Sequence, residues 1–546
     1  MKKIDIKYKL LTALLVCSLA AMSFAACSVT TENTSLQQTE NASTATVTAR
    51  SSAEISYVFS AKDTDASYDE STAQTIDLNG SSASSESSSV SINGSVITIK
   101  GKGTYIVTGT LDDGYIVVDA GDSDDIKIVL KDAKITSSDY AALYCLNADN
   151  VNVILADGTE NLLKNSGKFD SKDKNSVDGA VFAKTDITIN GSGSLEIVST
   201  DHGIVGKDDV TITGGNIKIT STSDGIQAND SVAIRNASID ITCGKDGIQA
   251  DNEKDKTKGF VYILSGDITI AADDDGITAS STLQIDGGTI NISKSYEGLE
   301  GETIIINDGM ISMVSSDDGI NASSDSSAES MMDDGVSNIL IKGGDIYVRS
   351  EGDGVDSNGT LLMTGGTLVV MGPVIGGNGS LDVNGSATIT GGTVIMAGSS
   401  DMAMNFTEAS QGTILLTTGN QSQGTAIKVT DSSGNVILEA GSDCTYQCVV
   451  VSSPMLTTGN SYTVTAGTFS ETVTLSSNIY GAGNGFGVPG GFTGGQDAGF
   501  GGPGGFGGDN EFNGGADGGF GGPAGGPDNG FAGAGPGNEQ NGGPGF

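Results

Sequence analysis

The sequence predicts an all-β protein whose central part is a parallel β-helix, a solenoid with coils of about 22 residues. Three observations predict it. Within each repeat, apolar residues alternate with polar ones in short runs, which indicates half-buried strands. Gly-Gly turns separate these strands, and turns at a fixed period are typical of a repeat protein rather than of a hairpin meander. The repeat itself opens on an Asp-Gly-Ile type of unit, which begins at His202, Asp224, Asp246, Asp275, Glu297, Asp318 and Asp353.

The first 26 residues resemble a bacterial lipoprotein signal peptide. Lysines precede an apolar stretch from Leu10 to Ala21, and the small residues Ala25 and Ala26 lead to Cys27. We therefore expect lipidation of Cys27, an extracellular location at the bacterial cell surface, and membrane contact only through this lipid. Phe24 stands where such signals usually have Leu, so plain secretion stays open.

The rest of the chain divides by composition. Residues 27–55 are rich in Ser and Thr and predict a solvated tether, whereas the Gly-rich residues 481–546 predict a disordered tail. The β-helix is expected over 56–412. Residues 413–480 alternate without the repeat and predict a small β cap over the open end of the solenoid. Three polar insertions are expected near one edge of the coils, at residues 165–177, 251–260 and 323–338.

Charge and cysteines limit the partners. With 68 acidic and 27 basic residues the net charge is −41, which argues against nucleic acid and anionic membrane surfaces as direct partners. One His and the absence of a C-x₂-C pair argue against a zinc site. Cys444 and Cys448 are four residues apart, a separation that allows a disulfide only across a tight turn, so both the disulfide and two free thiols are compatible with the sequence. We expect a monomer.

An acidic column is the main candidate site. Equivalent positions of neighbouring coils lie about 4.8 Å apart, where like charges near a surface repel by roughly 3–4 kcal/mol. Calcium, which prefers carboxylate and carbonyl oxygens, would relieve this repulsion. Asp274, Asp317 and Glu300 add further acids beside the column. Asp-Gly is also a strong turn dipeptide, so pure turn chemistry is the alternative. The proposed metal ligands are Asp224, Asp246, Asp275, Glu297, Asp318, Asp353 and Asp356.

Several motifs resemble a bacterial family of carbohydrate-binding β-helix proteins, described from clostridial cellulose- and pectin-binding proteins. They are the string from Gly101 to Tyr115, Asp157-Gly-Thr-Glu-Asn161, the repeated Asp-Gly-Ile units, Asp353 to Gly359 and Gly391 to Gly398. The resemblance covers residues 56–475. It implies a right-handed, polysaccharide-lyase-like β-helix, bound calcium, and affinity for cellulosic and acidic plant polysaccharides such as polygalacturonate. Glu297 departs from the Asp of the pattern, which puts that calcium position in doubt.

Sugar-contacting residues are expected beside the column. Lysines of two insertions are candidates for contact with uronate carboxylates, although loops of mixed charge are as good an explanation. Tyrosines near the column are candidates for stacking on sugar rings, with ordinary strand or core tyrosines as the alternative. The proposed residues are Lys172, Lys174, Lys254, Lys256, Lys258, Tyr262, Tyr296 and Tyr347.

Three functions are compatible with the sequence. The first is a non-catalytic, calcium-binding polysaccharide-binding protein. The second is a calcium-dependent uronate lyase, which would need a Lys or Arg base beside the column; Arg349 is the nearest arginine in sequence. The third is a structural adhesin or stalk. His202 is expected to cap the column or to bond a neighbouring Asp rather than to act in catalysis, because no nucleophile motif accompanies it.

Overall fold

The computed structural model describes residues 54–252, 254–324 and 333–481, which lie within one compact unit. The predicted signal peptide, Cys27, most of the tether, part of the third insertion and nearly all of the Gly-rich tail lie outside the described residues. One helix, of four residues, occurs in the described part, and none there is long and apolar enough to span a bilayer.

The N-terminal elements build the first coils. They are α1 (Ala61–Thr64), β1 (Gln74–Gly80), β2 (Ala83–Ser84), β3 (Val90–Asn93), β4 (Val96–Ile99), β5 (Gly103–Leu111), β6 (Tyr115–Asp119), β7 (Asp125–Ser137), β8 (Leu143–Asn147), β9 (Asn150–Leu155) and β10 (Glu160–Asn165).

Most of the central coils contain three short strands each, and in two of them one longer strand takes the place of the first two. They are β11 (Gly179–Ala183), β12 (Asp186–Gly191), β13 (Ser194–Val198), β14 (His202–Gly206), β15 (Asp209–Ile212), β16 (Asn216–Thr220), β17 (Ile226–Ala228), β18 (Ser231–Ile234), β19 (Ala237–Thr242), β20 (Ile248–Ala250), β21 (Phe260–Ile263), β22 (Gly266–Ala271), β23 (Ile277–Ile285), β24 (Thr289–Ser295), β25 (Leu299–Ile306), β26 (Met310–Ser315), β27 (Ile320–Ala322), β28 (Asn338–Ile341), β29 (Asp345–Arg349), β30 (Val355–Ser357), β31 (Thr360–Met363), β32 (Thr367–Met371) and β33 (Asp382–Val383).

The C-terminal elements complete the last coil and the cap. They are β34 (Ala387–Ile389), β35 (Thr393–Gly398), β36 (Glu408–Ala409), β37 (Gly412–Gln421), β38 (Ile427–Asp431), β39 (Val436–Ala440), β40 (Tyr446–Ser453), β41 (Ser461–Ala466), β42 (Phe469–Thr474) and β43 (Ile479–Tyr480).

The predicted parallel β-helix is confirmed by the strand pairing. Each strand of the central coils pairs in parallel with its counterpart one coil away, as β17 does with β20, β18 with β21 and β19 with β22. Three parallel sheets therefore run along the solenoid. We call the sheet that follows the Asp-Gly turn, including β17 and β20, the first sheet. The second sheet includes β18 and β21, and the third includes β19 and β22.

The core is a stack of identical apolar positions, because a period of two turns every second residue inward. On the third sheet Ile217, Ile239, Ile268 and Ile290 stack in register and are at most 2% exposed. Their neighbours Lys218 and Asp240 face solvent. Burial of a large apolar side chain contributes about 1.5–3 kcal/mol, so each coil adds a stabilising contribution to this stack.

The cap closes the last coil through β40. This strand pairs antiparallel with β35 of the solenoid and with β37. Its alternate residues face two cores: Cys448 and Val450 pack into the solenoid interior, while Val449 and Val451 pack into a second cluster with the four-stranded sheet β39-β38-β41-β42. Because that cluster also covers the outer face of β32 and β35, apolar residues replace polar ones there.

Residues 54–73 form a strap across the solenoid, which the sequence did not predict. The backbone N–H of Ile55 donates to Gln284 (2.6 Å), and the Tyr57 hydroxyl lies 3.0 Å from that of Thr211. Farther along, Lys62 forms an ion pair with Asp125 of an early coil (2.6 Å). The strap therefore covers the outer face of the second sheet and leaves that of the first sheet open.

Candidate functional site

The acidic column predicted from the repeat lies at the turn before the first sheet, and we call its six residues (Asp224, Asp246, Asp275, Glu297, Asp318 and Asp353) the acid corner. Within it the Oδ1 atom of one Asp accepts a hydrogen bond from the backbone N–H one coil later. Asp224 accepts from Asp246 (3.3 Å), and Asp246 accepts from Asp275 (3.1 Å). Asp275 accepts from Glu297 (2.9 Å), and Asp318 from Asp353 (2.6 Å). The carboxylates thus connect successive coils.

The glycine after each acid is required by close packing of the coils and not by a positive φ. None of the Asp-Gly or Glu-Gly glycines of the acid corner has a positive φ, whereas the second glycine of turns such as Gly214-Gly215 does. A Cβ on Gly247 would lie 2.5 Å from the carbonyl oxygen of Gly276 and 2.5 Å from Cγ2 of Ile270. The corner needs glycine because the next coil passes too close for a side chain.

Burial and like charge act together on the corner carboxyls. Burial, and then the neighbouring Asp224 and Asp275, raise the pKa of Asp246 to about 7. Burial is also the largest cause for Asp353, whose pKa rises to about 7, and for Asp318, whose pKa rises to about 6. A corner of carboxylates that is costly to ionise is a good place for either protons or a cation.

Within the acidic region, ligand atoms group at Asp246, Asp274 and Asp275, whose carboxylate oxygens all lie within 4.8 Å of one another. Asp246 is buried, Asp275 is half-buried and Asp274 is exposed, so the group opens to solvent on one side. One oxygen of Asp246 also accepts from Gln249 (2.6 Å). Several carboxylates in reach of one point are the donor set that Ca²⁺ prefers, so these residues fit the metal implied by the resemblance.

The corner behaves differently at Glu297, where the sequence departs from Asp. The longer side chain does not accept from the next coil's N–H at this position. Both its oxygens accept from Nδ2 of Asn321, at 3.0 Å each. Burial, followed by the charge of Glu300, raises the pKa of Glu297 to about 9. We call the hydrogen bonds from the backbone of one coil to the carboxylates of the previous coil the ladder. The extra methylene of Glu297 interrupts the ladder at this coil.

Asp356 occupies a different column from the corner acids. It lies three residues after Asp353, on the first sheet, in register with Asp382 of the next coil and Asn321 of the previous one. Burial, and then the charge of Asp318, raise its pKa to about 8. Asp356 therefore belongs to the same acidic region without being part of the hydrogen-bonded ladder.

The outer face of the first sheet carries a polar column beside the corner. In register, Gln249, Thr278 and Glu300 follow one another along the solenoid. They line a cavity of about 220 Å³ together with Ser280 and Glu302. Earlier coils have Tyr144 and Phe182 in the same column, covered by the insertion at 165–177. The open, polar part of this face is therefore limited to the coils that carry the acid corner.

His202 heads the column as expected. Its Nδ1 atom lies 3.0 Å from Oδ2 of Asp224. Burial lowers the pKa of the imidazole, but the hydrogen bond and charge of Asp224, with Asp178 and Asp201 nearby, outweigh burial and raise the pKa above its ordinary value. The ring pairs with the first acid of the corner.

The proposed lysines separate into paired and exposed groups. Lys172 forms an ion pair with Asp139 (2.6 Å), and Lys258 pairs with Asp230, so both are engaged within the protein. Lys256 pairs with Glu302 (3.3 Å) at the cavity of the first sheet. Lys174 and Lys254 are exposed and form no ion pair within the described ranges.

Of the three proposed tyrosines, two are unsuited to stacking on a sugar. Tyr262 is 5% exposed, because the strap covers it, and its hydroxyl donates to Asp286 (2.7 Å). Tyr347 packs against the cap and donates to Asp443. Tyr296 is 47% exposed and directly precedes Glu297 of the acid corner, so its ring faces solvent at the site.

Arg349, the nearest arginine in sequence to the column, forms an ion pair with a residue of the cap. Its Nη1 atom donates to the carbonyl oxygen of Ser350 (2.5 Å), and its Nε atom lies 3.7 Å from Asp443. The two cysteines considered for a disulfide, Cys444 and Cys448, are free and buried.

A second acidic group was missed in the sequence. Carboxylate oxygens of Asp186, Asp208 and Asp209 lie within 4.8 Å of one another, before the second sheet. Burial, and then a hydrogen bond with Asp230, raise the pKa of Asp208 to about 7. These acids recur with the same period as the repeat, so self-comparison at this turn would have found them.

Comparisons with known proteins agree with the motifs quoted above. Residues 93–339 match the family model described as carbohydrate-binding domain-containing protein. A protein of that description from Acetivibrio thermocellus is 34% identical over 131 residues, which is 23% of this chain and 46% of the relative. The chain thus spans about half the length of this curated relative. Over residues 93–339 this match agrees with the resemblance that the motifs indicated.

A solved structure is also similar. It is described as the polysaccharide lyase-like protein from C. thermocellum, in a gadolinium derivative, and is 32% identical. The match covers 40% of this chain and 91% of that one, with a TM-score of 0.40.

Proposed function

We propose that this chain, whose residues 93–339 match the carbohydrate-binding domain-containing protein family, is a calcium-dependent polysaccharide-binding protein. The observation that carries the calcium part is the convergence of the Asp246, Asp274 and Asp275 carboxylates within 4.8 Å on the open edge of the solenoid. The family match supports a polysaccharide as the partner.

The acid corner alone would repel an acidic polymer, because the chain has a net charge of −41. Calcium, when bound, supplies positive charge and coordination positions that uronate oxygens can share with the protein. Asp246 and Asp275 would hold the metal from the corner, and exposed Asp274 would complete the ligand set. An acidic, pectin-like glycan such as polygalacturonate is therefore the proposed partner at this site.

The neighbouring groups have positioning roles. The polar cavity of the first sheet, with Gln249 and Ser280, offers neutral partners for sugar hydroxyls. The exposed ring of Tyr296 offers a surface for the apolar face of a sugar. Lys174 is exposed on the insertion that precedes the first sheet, and Lys254 is exposed on an insertion that follows this sheet, so the two lysines flank the first sheet from opposite edges instead of sharing the one edge expected for the insertions.

Binding without catalysis is the function these groups support best. Abstraction of a proton from a uronate requires a base in reach of the metal-bound sugar. Arg349 is turned toward the cap. Lys256 lies at the rim of the first-sheet cavity beside Glu302 and is the candidate base. A uronate lyase is therefore the second candidate function. A surface-anchored lipoprotein, attached through Cys27, completes the proposal.

The test is retention on polygalacturonate in Ca²⁺ and in EDTA, with the ultraviolet absorbance of unsaturated product followed in parallel. We expect retention in Ca²⁺, loss in EDTA, and no product. Asp246→Asn/Asp274→Asn should lose retention, whereas Asp240→Asn, an exposed acid on the third sheet, should keep it. Retention that is equal in Ca²⁺ and in EDTA would refute the calcium role. Accumulation of unsaturated product would show that the protein is a lyase and would refute binding without catalysis.

A further inference from the structure

A second cavity, of about 300 Å³, lies where the cap meets the last coils of the solenoid. Val374 of the loop after β32 contributes one wall, and the end of β37 with the residue after it contributes Asn420, Gln421 and Ser422. The start of β40 and the residue before it contribute Thr445, Tyr446 and Gln447. The cavity lies outside residues 93–339, to which the family model applies.

The lining is neutral throughout, in contrast to the acid corner. Not one of the residues around the cavity carries a charge. Two hydrogen bonds fix its amides: Gln447 donates to Oδ1 of Asn420 (2.9 Å) and accepts from Ser400 (3.0 Å). Gln421 donates to the carbonyl oxygen of Thr418 (3.0 Å).

These bonds leave a set of donors and acceptors for a ligand. Nδ2 of Asn420, Oε1 of Gln421, Oγ of Ser422 and Oγ1 of Thr445 have no hydrogen-bond partner among residues 54–252, 254–324 and 333–481. Amide and hydroxyl groups that both donate and accept match neighbouring sugar hydroxyls, which do the same. A carboxylate ligand would find no cation here.

Apolar surface lies beside the polar groups. Val374 is 38% exposed and Ile375 is 72% exposed, on a loop that contains no charged residue between Gly372 and Ser380. An exposed apolar pair beside a polar cavity suits the C–H face of a pyranose ring, because binding removes apolar surface from water while hydroxyls keep their partners.

The cavity also lies beside the corner in the fold. Gly379, at the end of the Val374 loop, donates its N–H to Oδ1 of Asp353 (2.5 Å), and so takes the place of an acid in the next coil. The neutral cavity therefore follows the last acid of the corner along the same edge of the solenoid.

We propose that this cavity is a saccharide subsite that binds neutral, hydroxyl-rich sugar units, and that it does so without calcium ligands. It is separate from the proposed calcium site, so a glycan chain lying along the edge would meet an acidic, metal-dependent region first and a neutral region next. Sugar binding at this subsite does not depend on whether the calcium site binds uronates, nor on whether the protein acts as a lyase.

The experiment is calorimetric titration of the full chain, in Ca²⁺ throughout, with a soluble neutral β-linked gluco-oligosaccharide. Asn420→Ala/Ser422→Ala removes the free Nδ2 and Oγ groups from two exposed positions, and with Asn420 also the acceptor that holds Gln447, so we expect affinity to fall about ten-fold. Thr445→Val, which keeps the shape of the side chain, should weaken binding in the same direction. Gln423→Ala, exposed on the same turn but outside the cavity, is the matched control and should bind as the wild type does.

The same variants separate this inference from the proposed function. Asn420→Ala/Ser422→Ala should still be retained on polygalacturonate in Ca²⁺, and Asp246→Asn/Asp274→Asn should still bind the neutral oligosaccharide. Thermal melting of each variant identifies any that do not fold. Absence of oligosaccharide binding by the wild type, or binding by Asn420→Ala/Ser422→Ala and Thr445→Val that equals the wild type, would overturn the subsite.

Discussion

Oδ1 of Asp246 accepts a hydrogen bond from the backbone N–H of Asp275 in the next coil, at 3.1 Å. The acid of the Asp-Gly-Ile unit thus bonds its neighbour's backbone rather than its own. The alternative of pure turn chemistry, in which the Asp bonds its own backbone before a Gly of positive φ, is therefore wrong for this corner. The hydrogen bonds between coils are compatible with calcium binding, because one oxygen accepts the backbone N–H while the carboxylate group still carries charge for a cation.

An isosteric substitution separates these two roles. Asp246→Asn keeps an oxygen acceptor for the Asp275 N–H but removes the buried charge. In EDTA we expect a melting temperature equal to or above that of the wild type, because the repulsion from Asp224 and Asp275 is gone. Added Ca²⁺ should raise the melting temperature of the wild type clearly and that of Asp246→Asn much less. An equal rise in both proteins would contradict a metal role for this residue.

The pH dependence of stability in metal-free buffer follows from the corner acids. Their folded pKa values, about 7 for Asp246 and Asp353 and about 9 for Glu297, lie above the value of roughly 4 expected in the unfolded chain. The folded state therefore binds more protons between these values, and the free energy of unfolding should fall as pH rises from 5.5 to 8.5. The raised pKa of His202 acts in the same direction, because its stabilisation is lost as pH rises.

Urea denaturation in EDTA across this pH range measures that dependence. Ca²⁺ competes with protons for the carboxylates, so its stabilising effect should grow with pH. A free energy of unfolding that rises with pH in EDTA would show that the corner acids ionise freely, against the effect of their burial.

Close packing of coils at the corner glycine gives a third prediction. Gly247→Ala should destabilise the protein by roughly 1–3 kcal/mol, because its Cβ would meet the Gly276 carbonyl and Ile270 at 2.5 Å. Gly441→Ala is the control, since a Cβ there has nothing within 4 Å and the backbone has no positive φ. Gly441→Ala should be neutral or slightly stabilising by urea denaturation. Equal stability of the two variants would contradict the packing argument.

Much of this fold follows from the sequence because the repeat encodes it locally. The alternation around Ile217 and Ile239 predicts both the strands and the buried stack. The spacing from Asp224 to Asp246 predicts that these residues lie one above the other. In a solenoid each position contacts its counterpart one coil away, so a period in the sequence is also a period in space.

Features outside the repeat were not predictable in this way. The strap joins residues as distant as Ile55 and Gln284 with no pattern of its own, and the burial of Tyr262 follows from it. The two-sided burial of β40 depends on which surface the cap meets. The free state of Cys444 and Cys448 likewise depends on tertiary packing.

The stacked core supplies a fourth prediction. Ile270 is fully buried, in register with Ile241 and Ile292 of the flanking coils. Ile270→Ala should lower the free energy of unfolding by about 2–5 kcal/mol, because a cavity remains between fixed coils. Its neighbour Thr269 is exposed on the same strand, and Thr269→Ala should change stability by less than about 0.5 kcal/mol. A loss below that of Thr269→Ala would mean that the stack relaxes freely.

Direct calcium titration by calorimetry, on the full chain after treatment with chelator, tests the central claim most directly. We expect saturable binding by the wild type and by Asp240→Asn, with at least one site lost in Asp246→Asn/Asp274→Asn. Absence of calcium binding by the wild type, or unchanged stoichiometry and affinity in Asp246→Asn/Asp274→Asn, would contradict the assignment of the acid corner as a calcium site.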